Sequence, residues 1–295
     1  MGSKVLYLEC KSGAAGDMLM GALYGVMNEE QKAYLVDTLN QISDKITVTP
    51  RPKKLNGISG IHMEVCIEGQ EEDDHVHGHT HEHEHDHDGH THEHEHEHEH
   101  DHDGHTHEHD HDGHTHEHVH DHRHVSYEEI VQKIGEADVP ERVREDALAI
   151  YRKLGEAESK VHGVRIEQIH FHEVGTLDAV ADVLGNCLAI HILQPDKIIC
   201  SPVCVGNGMV HCAHGWLPVP APATAELIKG MEIYTSPFEA ELLTPTGAAI
   251  LSHFVQEYSR NVSMNVQNIG YGAGTRVFPQ AGFVRAFLGE EVQPI

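Results

Sequence analysis

Lys4-Val5-Leu6-Tyr7-Leu8-Glu9-Cys10 is followed by Ser12-Gly13-Ala14-Ala15-Gly16-Asp17, an apolar segment running into a glycine-rich one. Lys4–Cys10 carries a short apolar run, Val5 to Leu8, and reads as a first strand. Ser12–Asp17 is a glycine-rich turn, and Met18 to about Met27 reads as a helix. A strand that passes through a glycine turn into a helix begins a mixed α/β chain. A second helix is expected near Glu29–Ile42. Ile46–Lys53 and Ile58–Glu68 read as strands joined at Asn56-Gly57, a strong hairpin signal.

Past position 125 the helical period returns. Glu128–Ala137 is a short helix that stops before Pro140. In Glu141–Val161 the residues Val143, Ala147, Ile150, Leu154, Ala157 and Val161 form one buried stripe. Thr176–Leu193 is a further helix, Asp196–Val205 a strand, Trp216–Pro222 an extended proline-rich segment and Ala223–Lys229 a helix. Thr244 is the N-cap and Pro245 the first residue of a helix running through Phe254. Asn261–Ile269 and Phe283–Leu288 are late strands flanking Gly270-Tyr271-Gly272-Ala273-Gly274. The fold class is therefore α/β or α+β mixed. The strand order does not follow from these patterns.

Between these blocks lies a different kind of sequence. Of the 32 His in the chain, 24 fall between His75 and His124. The nonapeptide D-H-D-G-H-T-H-E-H occurs at 86–94, 101–109 and 110–118. With almost no apolar side chain to offset the entropy of ordering, the segment is expected to be disordered. The expected organisation is residues 1–70 as an N-terminal αβ part, 71–125 as the insertion and 126–295 as the main αβ part. About 245 residues remain for the globular core. In an extended chain, His residues one apart share a side. His75, His77, His79, His81, His83, His85, His87, His90, His92 and His94 thus offer overlapping imidazole chelates. Nickel and zinc are the metals this ligand set favours in a cell that keeps copper scarce. Binding should weaken below about pH 6.5, where imidazoles protonate.

The formal charge is −28, from 48 acids against 20 bases. With no basic patch the chain is a poor ligand for nucleic acid. No apolar run approaches the roughly 18 residues of a membrane span. The N-terminus lacks the apolar core of a signal peptide, so the cytoplasm is the expected compartment. The six cysteines are then expected as thiols.

Three stretches carry candidate chemistry. In Ser12–Asp17, glycines let backbone N–H groups approach an anion at a helix start, and Asp17 either ligates a cation or caps the helix. No P-loop and no dinucleotide fingerprint is present. In the second stretch, His170-Phe171-His172-Glu173-Val174-Gly175-Thr176-Leu177-Asp178, the two His share one side of an extended segment. Asp178, Asp182 and Asn186 follow along one helical face. This is a metal or acid–base site, or else a solvated helix face beside a core His. In the third, His211-Cys212-Ala213-His214-Gly215-Trp216, a His/Cys/His trio in a loop suits a soft metal or a thiolate. Cys200 and Cys204, just before it, sit in a strand pattern where cysteine often only packs.

Read together, LECKSGAAGDM (8–18), HFHEVGTLDAVAD (170–182), HCAHGWLPVPAPAT (211–224), LTPTGAA (243–249) and IGYGAGT (269–275) resemble the nickel insertion protein family of lactate racemase cofactor synthesis (LarC). The likeness covers nearly all of the chain outside the His-rich insertion. It implies insertion of nickel into pyridinium-3,5-bisthiocarboxylic acid mononucleotide, with CTP and a divalent cation, for use by apo lactate racemase. The product it implies has two Ni–S bonds and one Ni–C bond. It further implies that Ser12, Gly13, Gly16 and Asp17, or Thr244 and Thr246, hold the nucleotide. His170, His172, Glu173, Asp178, His211 and His214 then ligate nickel or take a proton. Full-length members run on past the GYGAGT motif into the part that holds CTP, so this chain is expected to act with a C-terminal half chain. A homo-oligomer is expected. The rival reading is a nickel store or metallochaperone without catalysis.

Overall fold

The computed structural model describes residues 2–68, 70–71, 125–171, 174–212, 214–276 and 282–292. The strands of the main sheet are β1 (Lys4–Glu9), β2 (Ile46–Leu55), β3 (Ile58–Ile67), β4 (Lys197–Cys200), β5 (Glu257–Tyr258), β6 (Met264–Ala273) and β7 (Phe283–Glu291). They lie in the order β5-β4-β1-β7-β6-β3-β2, and Gln70–Glu71 adds a short strand on β3. β1 is parallel to β4 and antiparallel to β7, so the sheet is mixed. β2 and β3 pair in full register from Ile46↔Ile67 to Leu55↔Ile58, around the Asn56-Gly57 turn that the sequence marks. The mixed α/β class is thus observed, with sequence from both sides of residues 72–124 in one sheet.

Seven α-helices are described: α1 (Gly16–Gly25), α2 (Glu29–Leu39), α3 (Tyr127–Glu136), α4 (Glu141–His162), α5 (Leu177–Leu193), α6 (Pro222–Leu227) and α7 (Pro245–Phe254). α1 lies on β3, β6 and β7, α5 packs on α1, and α4 packs on α5, α6 and α7. The stripe on α4 is buried from Val143 to Ala157, whereas Val161 is exposed because the last turn runs past the core. No described helix is long and apolar enough to cross a membrane.

Two expectations change. The Gly270–Ala273 run is not a flanking loop but the end of β6. Its glycines are needed because α1 crosses the strand at backbone contact: a Cβ on Gly272 would lie 1.8 Å from the Met18 carbonyl oxygen, and one on Gly270 2.0 Å from that of Ala22. The strand expected over Asp196–Val205 is broken. Ser201-Pro202 separates β4 from a two-residue strand at Val203–Cys204, since proline cannot donate to a ladder. All six cysteines are free thiols. Cys200 Sγ lies 3.7 Å from Cys10 Sγ, both buried, as packing residues are.

Candidate functional site

β1 ends at Glu9 and the chain turns through Ser12–Ala15 into α1. Gly13 takes φ +85°, and a Cβ there would lie 1.9 Å from the Leu242 carbonyl oxygen. Only glycine meets both demands. The turn is tied to the segment ahead of α7: Ala14 N donates to Leu242 O at 2.9 Å and Thr244 N to Ala14 O at 3.1 Å. Thr244 Oγ1 accepts from Gly247 N at 3.2 Å, so it caps α7 as its position before Pro245 predicts. Its hydroxyl also lies 3.0 Å from that of Thr246.

α5 completes the arrangement. Tyr151 of α4 is fully buried and donates from Oη to the Val174 carbonyl at 3.1 Å, which fixes the segment leading into α5. Burial raises the Tyr151 phenol well above its usual pKa, and Asp178 and Asp182 push the same way, so it stays a donor. The first turns of α1, α5 and α7 therefore open on one cleft. Its walls include Ser12, Gly16 and Asp17 from the first, Asp178 and Asp182 from the second, and Thr244 and Thr246 from the third. Neither α1 nor α5 has a side-chain N-cap hydrogen bond. Three helix N-termini that face one space turn unpaired N–H groups and positive dipole ends toward it.

The cleft is also rich in carboxylates. Asp17 Oδ1 accepts from Met18 N at 2.7 Å from within the first turn of α1, whose N-cap position is Ala15. Asp178 Oδ1 is buried with no hydrogen-bond partner. Carboxylates beside helix N-termini suit a ligand that carries both signs of charge. Arg276 and His62 supply the basic side of the wall. His62, on β3, is a residue the sequence reading missed. A single His inside an alternating strand gives no local signal, and only the placement of β3 beside β6 brings it here.

Ser12, Gly16, Asp17, Asp178, Thr244 and Thr246 are thus brought together from three separate motifs, with Gly13 shaping the turn. The other candidates lie elsewhere. His170 is exposed in a short strand, paired with Ser126. His211 stands in the hairpin of Met209–Cys212 and Gly215–Pro218, its ring 5.3 Å from that of Trp216. His214, at the hairpin turn, lies 4.9 Å from the His162 ring at the end of α4. Asn186 is buried, not solvated, because its side chain holds α5 to α1. His172, Glu173 and all of His75 to His94 lie outside the described residues. Among the described residues no group of three or more His, Cys, Asp or Glu is arranged to hold a metal ion.

Fold and cleft define a mixed α/β protein that presents three helix N-termini to one cleft. The chain belongs to the nickel insertion protein family, whose profile matches residues 6–294. It is 35% identical over 293 residues to the pyridinium-3,5-bisthiocarboxylic acid mononucleotide nickel insertion protein of Geobacillus kaustophilus, covering 98% of this chain and 61% of that protein. The proteins of the same name from Desulfitobacterium hafniense and Clostridium kluyveri are each 34% identical, with 58% and 62% of their lengths covered. The chain therefore spans about three fifths of the length of these relatives. No solved structure matches it.

Proposed function

We propose that the cleft binds pyridinium-3,5-bisthiocarboxylic acid mononucleotide while nickel is inserted between its two thiocarboxylates. The observation that carries this reading is the convergence of α1, α5 and α7 at their N-termini, in a chain of the nickel insertion family. The nucleotide phosphate is assigned to the ends of α1 and α7, with Ser12, Gly16, Thr244 and Thr246 around it and Gly13 permitting the turn. N-ribosylation leaves the pyridinium ring cationic. Asp178 and Asp182 face that charge, and they attract Ni²⁺ as well.

Nickel is the substrate metal. The His-rich run, His75 to His94 among it, is assigned the role of collecting it, since many neutral imidazoles give multi-site, rapidly exchanging binding. His170, His211 and His214, at or near the protein surface, are assigned to hand nickel on. His172 and Glu173 keep their proposed role as ligand or base. We further assign to the reaction CTP with a divalent cation held outside residues 1–295, a C-terminal half chain that completes the enzyme, a homo-oligomeric assembly in the cytoplasm, and apo lactate racemase as acceptor of the product.

The test is to mix the purified chain with nickel, CTP and the nucleotide, with and without a C-terminal partner chain, and to assay activation of apo lactate racemase. Activation in either mixture is the expected result. Silence in both, with nickel still bound, would overturn the proposal in favour of nickel storage.

A further inference from the structure

We propose that His62 accepts the ring proton that nickel displaces, with the Ala273 carbonyl holding its tautomer and Asp17 placed to stabilise the imidazolium. The inference rests on the cleft being the nucleotide site. His62 is only 7% exposed, at the centre of β3, and its ring lines the cleft. Its Nδ1 lies 3.2 Å from Ala273 O and 3.5 Å from Asp17 Oδ2. A backbone carbonyl can only accept, so in the neutral ring Nδ1 carries the hydrogen and Nε2 the lone pair. Asp17 is itself held by Met18 N, and Ala273 by the β6 ladder. An imidazole whose Nδ1–H is held by a backbone carbonyl, with a carboxylate 3.5 Å from the same nitrogen, keeps its lone pair on Nε2, as a general base requires.

The substrate's chemistry calls for such a group. Thiocarboxylates at ring positions 3 and 5 flank position 4, so a metal held by both sulfurs is pressed against that carbon. A bond from nickel to the carbon forms as the C–H bond breaks. The C–H electron pair becomes the Ni–C bond, the hydrogen leaves as a proton, and nickel stays divalent. Nothing is oxidised or reduced, but the proton needs an acceptor. Imidazole, with a reference pKa of about 6.5, is the side chain matched to that task near neutral pH. The charged groups around it in the cleft are Asp17 on α1, Asp178 and Asp182 on α5, Glu241 ahead of α7 and Arg276 after β6.

The test is single-turnover nickel insertion by the full chain, with its partner chain where that is required, followed by the spectrum of the nucleotide. Nucleotide binding is measured separately by calorimetry. His62→Gln is expected to bind the nucleotide within about threefold of wild type but to insert nickel at least about 100-fold more slowly. His62→Ala is expected to regain rate when imidazole is added, which loss of a purely structural contact would not allow. Deuterium at ring position 4 should slow the wild type. Asp17→Asn, a second variant in case the His62 variants fail to fold, should lower the insertion rate measured at saturating nucleotide. Insertion at the wild-type rate by a folded His62 variant, or by Asp17→Asn where neither His62 variant folds, would overturn the role of His62 and leave the cleft assignment standing. Failure of the wild type to bind the nucleotide would instead overturn the cleft assignment.

Discussion

Asn186, fully buried in α5, donates from Nδ2 to the Gly16 carbonyl at 2.9 Å and to the Asp182 carbonyl at 2.8 Å. The first of these bonds joins α5 to the opening turn of α1 at the cleft. The approach is close: a Cβ on Gly16 would lie 2.5 Å from Asp182 Oδ2. Asn186→Ala removes the buried side-chain link between the two helices and is expected to cost about 1–3 kcal/mol. Urea unfolding of the variant measures this, and an unchanged midpoint would show that the bond does not hold the helices together.

A pair of glycines separates close approach from mere helix content. Gly272→Ala puts a methyl against the Met18 carbonyl, and the overpacking is expected to cost about 1–3 kcal/mol. Gly135→Ala, in α3 with nothing within 4 Å of its new methyl, is expected to stabilise by about 0.5–1 kcal/mol. Thermal unfolding of the two variants should shift the midpoint in opposite directions.

Thr244 joins the stability of α7 to the proposed phosphate site. Thr244→Ala removes the cap on Gly247 N and is expected to cost about 1 kcal/mol. Thr244→Ser keeps the hydroxyl and should recover most of that loss. On the proposed reading the alanine variant also weakens nucleotide binding and the serine variant does not, which calorimetry distinguishes.

These positions show what local sequence can and cannot reveal. The strand, glycine turn and helix of residues 4–25, the Asn56-Gly57 hairpin and the Thr244-Pro245 helix start depend on neighbours within a few residues and are legible. So are the residues at the three helix starts, because caps and glycine turns carry composition signals. Their convergence is not legible. It depends on long-range pairings such as Gly272↔Ile61, which places β3 beside β6 and His62 beside Asp17. The alternation of His170 and His172 and the His211/His214 spacing are likewise readable, but which surface each reaches is decided by tertiary packing. The polar spacing that joins Asn186 to Asp178 and Asp182 suggests a common role. The structure instead gives Asn186 an internal hydrogen bond and the two carboxylates a place in the cleft.

The Glu9 carboxylate sits opposite Arg285 in the β1–β7 ladder, with Arg285 Nε at 2.5 Å and Lys11 Nζ at 2.8 Å. Burial works against its charge, but hydrogen bonds from Lys11 and Arg285 outweigh that and hold its pKa below the usual glutamate value. A depressed folded-state pKa contributes stability that is present above the ordinary glutamate pKa and is lost as pH falls through the lowered one. Glu9→Gln is therefore expected to lose about 1–3 kcal/mol at neutral pH. It should also lose less stability than the wild type between about pH 5 and pH 3. Parallel pH–stability curves for the two proteins would contradict this account.

The account turns on whether the N-termini of α1 and α7 hold the phosphate of a pyridinium mononucleotide. The direct measurement is calorimetric titration of the wild type with pyridinium-3,5-bisthiocarboxylic acid mononucleotide and with the same nucleoside lacking its phosphate, repeated on Thr246→Val. The account predicts that the nucleotide binds the wild type at least about tenfold more tightly than the nucleoside, a difference of about 1.4 kcal/mol, and that Thr246→Val narrows this gap. Equal affinity for nucleotide and nucleoside, unchanged in Thr246→Val, would contradict it.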